Sequence, residues 1–381
     1  MFNTNKLYTT LVLAIYSCSA WFAPLGYTAP TGSSATLVND HLVSNIKPDE
    51  TIQFFHTSAW YDETLQLWHI PIHGWVYEPE ESMVRKQIIA KTLQAKYNLK
   101  ATSKHSENNF AKRVNLLIAD NERNKQVIIV IGKQRYALPK SAANGHFKGI
   151  ITLTKPQVDH IKENGQLDFY AILSSQDQRR FSGKVALVSP EGISVISDID
   201  DTVKVSQVTD HTALMDYTFF QDFIAVKGMS ALYQNWSQQG AMFHFVSSSP
   251  WHLYQPLVEF AKTAGYPWAS YSLKNIRFKD ETIFNLFKKG TETKPQQIEP
   301  ILQAYPKRHF ILVGDSGEQD PEVYGELMRK YPEQITKILI RNVDNSSTTD
   351  SRYKKAFSNV AVDKWQLFIS PQEVKLLIKN K

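Results

Sequence analysis

An alternation of short apolar stretches and helical stretches between residues 193 and 342 constrains the fold more than any other feature. The helical stretches are "GMSALYQNWSQQG", "LYQPLVEFAKTAG" and "KPQQIEPILQAYP", and the apolar ones are "ISVIS", "MFHFVS", "HFILVG" and "ITKILIRN". Short, continuously apolar strands separated by helices are typical of a parallel sheet covered on both faces. This half of the chain is therefore predicted to be an α/β domain.

Each of the first three predicted strands ends in a polar cluster. These clusters are "DIDDT" at 198–202, "SSSP" at 247–250 and "GDSGEQD" at 314–320. Because ligands of parallel sheets bind at the carboxyl ends of the strands, the three clusters are expected to form one site.

The preceding region, residues 30–185, is predicted to be a β-rich domain of sandwich or barrel type. Its short runs are rich in aromatic and β-branched residues, and "LQLWHIPIHGWVY" alternates until the pattern is broken by Pro71 and Gly74. The stretch "SMVRKQIIAKTLQAKYNL" instead has apolar residues at helical spacing and predicts an amphipathic helix. His69 and His73 are interpreted as core or surface residues rather than as a site.

The first 29 residues resemble an export signal. Lys6 precedes an apolar run from Leu11 to Tyr16, and small residues then lead to a cleavage point after Ala20. An uncleaved anchor and a lipoprotein acylated at Cys18 are the alternatives. We expect an exported protein, periplasmic or secreted, that lacks thiols after cleavage because Cys18 is the only cysteine.

Length and charge limit the function classes. A chain of 381 residues suggests two domains, here 30–185 and 186–381, and 42% hydrophobic residues argue against disorder. The 43 basic and 37 acidic residues are scattered, so no nucleic-acid-binding arm is expected. A mildly basic surface attracts phosphate esters and anionic lipids.

The grouped carboxylates indicate a metal site. Carboxylates at one point repel each other unless a cation neutralises them, and oxygen ligands without nearby His or Cys favour Mg²⁺. A carboxylate beside such an ion can attack phosphorus. The groups expected at this site are Asp198, Asp200, Thr202, Ser247 to Ser249, Asp315 and Asp320.

Four motifs resemble, in order, those of the haloacid dehalogenase (HAD) phosphatase superfamily: "SDIDDT", "FVSSSPW", Lys294 and "GDSGEQD". Over about residues 185 to 345 the extended motifs "GISVISDIDDTVKVSQV", "FHFVSSSPWHLYQPLVEF" and "RHFILVGDSGEQDPEVY" are similar to the App1-like, lipin-related phosphatidate phosphatase domain. The resemblance implies a HAD-like fold. Fewer than fifty residues separate Asp198 from Ser247 and Ser247 from Lys294, so no large cap domain is expected.

The resemblance also implies roles for single residues. Asp198 would be the nucleophile and Asp200 the general acid and base, while Ser247 would bind a phosphoryl oxygen, with Ser248 and Ser249 as alternatives. Asp201 is expected to be structural and Thr202 to cap the loop. The metal ligands would be Asp198, the backbone carbonyl of Asp200, Asp315 and, directly or through water, Asp320.

The lysine of the third motif is the least determined of these residues. Lys294 stands at the expected place, and Lys274, Lys288 and Lys289 are alternatives.

The resemblance favours phosphatidate, or another lipid phosphate at a membrane surface, as the substrate. The stretches "TFFQDFIAV" and "PWASYSLKNIRF" are expected to form a small apolar rim, although half or more of their residues should be core. Phosphoproteins, inositol phosphates and soluble esters are alternative substrates. A membrane-binding or partner-binding protein with accessory phosphatase activity is a further alternative. The oligomeric state is left open.

Overall fold

A computed structural model describes residues 33–80, 82–275, 293–376 and 378. They form two β-sheets, the first almost entirely antiparallel and the second entirely parallel. The first sheet ends at Val188 and the second begins at Ile193. Lys288 and Lys289 lie outside the described residues, as does the N-terminal segment predicted to be an export signal.

The described part of the N-terminal region contains ten strands and three helices. Its helices are α1 (Met83–Tyr97), α2 (Lys104–Leu117) and α3 (Lys155–Ile161). Its strands are β1 (Thr36–Val38), β2 (Thr51–Phe54), β3 (Thr57–Asp62), β4 (Leu67–Glu78), β5 (Asp120–Asn121), β6 (Ile128–Ile131), β7 (Gln134–Ala137), β8 (His146–Thr154), β9 (Gln166–Ala171) and β10 (Ser182–Val188). The sequence-based prediction of a β-rich region is confirmed.

Strand β4 organises this sheet, because it pairs with β2, β3, β5 and β8. The apolar pattern is interrupted at Pro71 and Gly74, but the strand continues through both residues. A methyl group on Gly74 would lie 2.3 Å from the ring of Phe147 on β8. The glycine therefore permits the close approach of that ring instead of ending the strand. Eight of the ten strands contribute side chains to one shared hydrophobic core.

The second region contains six strands and six helices within the described residues. Its strands are β11 (Ile193–Ser197), β12 (Met242–Pro250), β13 (Ala269–Lys274), β14 (His309–Asp315), β15 (Ile335–Arg341) and β16 (Trp365–Phe368). Its helices are α4 (His211–Phe219), α5 (Met229–Gln238), α6 (Tyr254–Thr263), α7 (Thr293–Ala304), α8 (Asp320–Lys330) and α9 (Ser351–Ala356).

The parallel sheet has the strand order β13-β12-β11-β14-β15-β16. Successive residues of β11, Val195 and Ile196, point into two different apolar cores, one with α5 and α6 and the other with α7, α8 and α9. Helices therefore cover both faces, which confirms the predicted α/β architecture. The order reverses at β11, whose neighbours are β12 and β14, so the three strands with polar ends are adjacent.

The two regions share their cores. Phe55 and Trp75 of the N-terminal region belong to the cluster that contains α6, and Trp60 belongs to the one that contains α8. The Tyr254 hydroxyl accepts a hydrogen bond of 2.8 Å from the backbone N–H of His56. Within the described ranges, every helix is too short or too polar to cross a membrane.

Candidate active site

The structure brings the predicted site residues together at the carboxyl edge of the parallel sheet. Asp198 directly follows β11, Ser247 lies on β12, and Asp315 is the last residue of β14. Lys294 comes from the first turn of α7, and Asp320 begins α8. All five residues are buried.

A buried lysine contacts the residue predicted to be the nucleophile. Lys294 Nζ lies 3.0 Å from Asp198 Oδ1 and 2.8 Å from Glu318 Oε2, and it also bonds to Asp320 Oδ1. Burial lowers the pKa of Lys294, but the surrounding carboxylates outweigh it and raise the pKa well above its ordinary value. The ammonium group is therefore charged. Lys274, the other described candidate, lies half-buried at the end of β13.

Three acidic residues form a cluster that could hold a metal ion. Single carboxylate oxygens of Asp198, Asp315 and Glu318 all lie within 4.8 Å of one another. Asp198 Oδ2 and Asp315 Oδ2 are buried and have no hydrogen-bond partner among the described residues. Unsatisfied buried carboxylate oxygens are costly, so these two atoms are free to bind a cation.

The electrostatics of this cluster fit a divalent cation. Burial raises the pKa of Asp198 well above its ordinary value, with Lys294 opposing the shift and Asp320, Glu318 and Asp315 adding to it. Burial and the carboxylates of Asp320 and Glu318 raise the pKa of Asp315 in the same way. A bound cation would reverse both effects and keep these carboxylates ionised. The donor set consists of oxygen atoms, which Mg²⁺ prefers.

Glu318 was missed by the sequence reasoning. It lies inside "GDSGEQD", between the two aspartates that were predicted to be ligands. Asp315 Oδ1 accepts hydrogen bonds from the backbone N–H groups of Gly317 and Glu318, at 2.7 and 3.0 Å, which folds this loop back toward the metal cluster. The sequence signal that could have identified Glu318 is its position as an acidic residue in the polar loop after β14.

Asp320 has a supporting position. Its Oδ1 bonds to Lys294, and its Oδ2 accepts a hydrogen bond of 3.1 Å from the backbone N–H of Asp315. A methyl group on Gly314 would lie 2.2 Å from Asp320 Oδ2. The glycine of "GD" therefore lets the Asp320 carboxylate lie against the strand end.

Asp200 lies in a separate network of buried polar groups. Lys204 Nζ is 2.9 Å from Asp200 Oδ1, and the Ser206 hydroxyl donates to the same oxygen at 2.7 Å. The hydroxyls of Ser247 and Ser249 donate to Asp200 Oδ2 at 3.2 and 3.1 Å. Burial raises the pKa of Asp200, but Lys204 and these hydroxyls outweigh it, so the pKa lies below its ordinary value. Lys204 and Ser206 were not identified from the sequence.

The three serines of β12 differ in their contacts. Ser247 and Ser249 both bind Asp200, and the Ser247 hydroxyl also accepts a hydrogen bond of 2.9 Å from the backbone N–H of Ser249. The buried Ser248 hydroxyl has no partner among the described residues. Ser247 stays the predicted ligand of the phosphoryl group, with Ser248 and Ser249 as alternatives.

The loop after Asp200 is held by Asp201. Its carboxylate accepts hydrogen bonds from the backbone N–H groups of Ser206, Gln207 and Val208, at 2.6 to 3.0 Å. Thr202 was expected to cap this loop, but its buried hydroxyl forms no hydrogen bond within the described residues. That expectation was wrong because Asp201, at a left-handed φ of 51°, takes the capping position.

A known protein family matches the part of the chain that contains this site. Residues 193–342 match the family described as phosphatidate phosphatase APP1, catalytic domain. This segment includes Asp198, Ser247, Lys294 and Asp315. It is an App1-like catalytic domain.

Two yeast proteins are similar to part of this chain. The phosphatidate phosphatase APP1 of Saccharomyces cerevisiae is 35% identical over 163 residues, which cover 42% of this chain and 27% of the yeast protein. An uncharacterised protein of Schizosaccharomyces pombe is 29% identical over 189 residues, covering 48% of this chain and 31% of that protein. The chain thus spans less than a third of the length of either relative.

Two solved structures illustrate a distant similarity. A chain of a Pnkp1/Rnl/Hen1 complex aligns with a TM-score of 0.29 and 14% identity, covering 46% of this chain and 57% of that chain. A β-glucuronidase of Parabacteroides merdae aligns with a TM-score of 0.26 and 6% identity, covering 77% of this chain and 34% of that chain. At these TM-scores neither similarity supports a conclusion.

Proposed function

We propose that this chain is a Mg²⁺-dependent phosphatase that hydrolyses phosphatidate to diacylglycerol and phosphate through a phosphorylated Asp198. One observation carries the proposal. The Asp198 carboxylate is paired with Lys294 through one oxygen, while its other oxygen is buried, has no partner in the described structure and belongs to a three-carboxylate cluster. A carboxylate in this setting is suited to both metal binding and nucleophilic attack.

In the first step, an Asp198 oxygen attacks the phosphorus atom of the phosphate monoester. The bond between phosphorus and the oxygen of diacylglycerol breaks, and that oxygen leaves with a proton from Asp200. In the second step, water attacks the phosphorus of the aspartyl phosphate and gives its proton to Asp200. Phosphate leaves, and the Asp198 carboxylate is restored.

The lowered pKa of Asp200 keeps its carboxylate ionised, which is the form that accepts a proton from water in the second step. For the acid step it must first gain a proton. The negative charge of a phosphate group bound beside it would raise its pKa and favour that state.

Lys294 and Ser247 would stabilise the transferred phosphoryl group. The charged Lys294 ammonium group lies beside Asp198 and neutralises the negative charge that develops as phosphorus is attacked. The Ser247 hydroxyl, which donates to Asp200 here, can turn to donate to a phosphoryl oxygen. When bound by Asp198, Asp315 and Glu318, Mg²⁺ would supply charge neutralisation for the same group.

The substrate is proposed from the similarity to the phosphatidate phosphatase APP1 of Saccharomyces cerevisiae. Export is proposed from residues 1–29, whose order of basic, apolar and small residues is that of a signal peptide.

Phosphate release from phosphatidate in mixed micelles, compared with a panel of soluble phosphate esters, tests the proposal. We expect release mainly from phosphatidate, loss with a chelator, recovery with Mg²⁺, and no turnover by Asp198→Asn. Release from soluble esters alone would retain the mechanism and reject the lipid substrate. Wild-type rates for Asp198→Asn would reject the covalent mechanism.

A further inference from the structure

We propose that helix α1 is a docking surface for an anionic lipid bilayer, placed so that the bound chain presents its active site to the membrane. Such a surface would bring the proposed active site to its lipid substrate, and only the identity of that substrate rests on the proposed function.

The first observation is a local excess of positive charge. Residues 82–103 contain five Lys and Arg and no Asp or Glu, whereas the whole chain has 43 basic and 37 acidic residues. The segment lies between Glu81 and the ion pair that Lys104 forms with Glu107 at 3.1 Å. Its basic residues are Arg85, Lys86, Lys91, Lys96 and Lys100. Such a segment is attracted to anionic lipid headgroups and repels other cationic surfaces.

The second observation is that α1 exposes large apolar side chains. Val84 and Ile88 are 67% and 60% exposed, and their spacing of four residues places them on one face of the helix. Among the α1 residues whose burial is described, Tyr97 alone is buried. A 15-residue helix is marginal in water by itself, so contacts of this exposed face with another surface would stabilise it.

The third observation is the position of α1 relative to the site. Tyr97 and Leu99 belong to an apolar cluster with Phe110 of α2 and Phe219 of α4, so the end of α1 is anchored to the catalytic region. Arg113 of α2 donates hydrogen bonds to the carbonyl oxygens of Thr218 and Gln221, at 3.0 and 2.7 Å.

The α1–α2 pair also reaches the two loops that carry site residues. Val208, which packs against the apolar cluster, donates its backbone N–H to Asp201 Oδ2 at 2.6 Å. Helix α2 contacts the 3₁₀ turn Trp251–Leu253, which follows the serines of β12. A bilayer bound by α1 would therefore lie near the active-site edge of the sheet.

In the part of the chain that the structure describes, most of the apolar side chains of the rim predicted from the sequence are core. In "TFFQDFIAV", Phe219, Phe220 and Val226 are buried, and Ile224 is exposed. In the described part of "PWASYSLKNIRF", Tyr271 and Leu273 belong to the core. The exposed apolar and basic residues of α1 are the better candidates for lipid contact.

Flotation of the full chain with phosphatidylcholine vesicles, prepared with and without phosphatidylglycerol, tests the inference without turnover. We expect binding that requires phosphatidylglycerol and becomes at least about tenfold weaker in the variant Lys91→Glu/Lys100→Glu. The matched variant Lys133→Glu/Lys140→Glu reverses two exposed charges of the first sheet and should bind normally. Equal losses in both variants, or no flotation of the wild type, would overturn the inference.

A second measurement separates α1 from any contribution of residues 1–29. In a Cys18→Ser background, an environment-sensitive dye is attached at Ile88→Cys or, as a control, at Val362→Cys, which is 82% exposed in the wild type. We expect a blue shift on adding anionic vesicles at position 88 and none at 362. Flotation without a shift at position 88 would show that another segment binds the lipid.

These readouts fail independently of the proposed function. Vesicle binding without phosphatidate hydrolysis would retain the docking surface and reject the substrate. Hydrolysis of phosphatidate in micelles without vesicle binding would retain the substrate and reject the docking surface.

Discussion

At the scale of single residues, the two catalytic aspartates proposed here differ in what surrounds them. Asp198 lies among other carboxylates and is paired with Lys294, whereas Asp200 is surrounded by hydroxyl groups and Lys204. These environments move the pKa of Asp198 up and that of Asp200 down. Two carboxylates only two positions apart can therefore take different roles.

The variant Lys204→Met tests how much Asp200 depends on its buried partner. Without the ammonium group the Asp200 carboxylate loses its fixed orientation, so we expect kcat for an alkyl phosphate to fall roughly 10- to 100-fold. The loss should be smaller for p-nitrophenyl phosphate, whose leaving group needs no proton. Rates for both substrates, with Lys227→Met as an exposed control, measure this difference. Equal losses for both substrates would indicate a purely structural role for Lys204.

At the scale of elements, the loop between β14 and α8 packs closely against the end of its own strand. Gly314→Ala would place a methyl group 2.2 Å from Asp320 Oδ2 and displace a partner of Lys294. Because a displacement of about 1 Å at a catalytic group can cost 100-fold, we expect a loss of that order in kcat/KM.

Gly265→Ala is the control for this substitution. The added methyl group would meet nothing within 4 Å, although the φ of 75° makes alanine strained there. It should lower the free energy of unfolding and leave kcat/KM unchanged. Similar activity losses in both variants would show that the Gly314 effect comes from stability alone.

The elements that could be predicted from the sequence are those buried on both faces. "ISVIS" is β11, and "HFILVG" covers all but the last residue of β14, because continuous apolar runs leave few alternatives. Strands β13 and β16 form the two edges of the sheet, and neither was predicted to be a strand. Pro71 and Gly74 interrupt the apolar pattern of β4, so the sequence did not show that β4 is one strand. The reason for Gly74 lies in a distant residue, Phe147, whose ring packs closely against it.

The same distinction holds for the candidate site. Asp198 and Asp315 stand in polar clusters at the ends of predicted strands, so the sequence placed them together, whereas Lys294 was one of four candidate lysines and the structure shows its contact with Asp198. Glu318 and Lys204 depend on how two loops fold, which local spacing does not determine. Their contacts, with Lys294 and Asp200, are visible only in three dimensions.

At the scale of the whole molecule, buried neutral histidines make stability depend on pH. Burial lowers the pKa of His146 and His244 to about 3 and that of His252 to about 4. Their folded pKa values lie below the unfolded value near 6.5, so the stabilisation is complete above that pH and is lost as pH falls toward the folded values.

We expect the free energy of unfolding to fall between pH 6.5 and 4 by up to about 1.4 kcal/mol per pH unit for each of these histidines. Urea unfolding across this range measures the slope. His146→Gln should reduce the slope by up to about 1.4 kcal/mol per pH unit, which is the contribution of one proton. A slope unchanged in that variant would show that His146 is not buried in its neutral form.

The phosphorylated intermediate is the most direct test of the account as a whole. Wild-type enzyme is mixed with Mg²⁺ and phosphatidate labelled in its phosphate group. Asp200→Asn, which should hydrolyse the intermediate slowly, is mixed with Mg²⁺ and labelled p-nitrophenyl phosphate, whose leaving group needs no proton, and both reactions are quenched in acid. The account predicts an acid-stable phosphoryl label on the peptide that contains Asp198, accumulating in Asp200→Asn and absent from Asp198→Asn. Hydrolysis of phosphatidate with no label on Asp198 in either enzyme, or with the label on another residue, would contradict it.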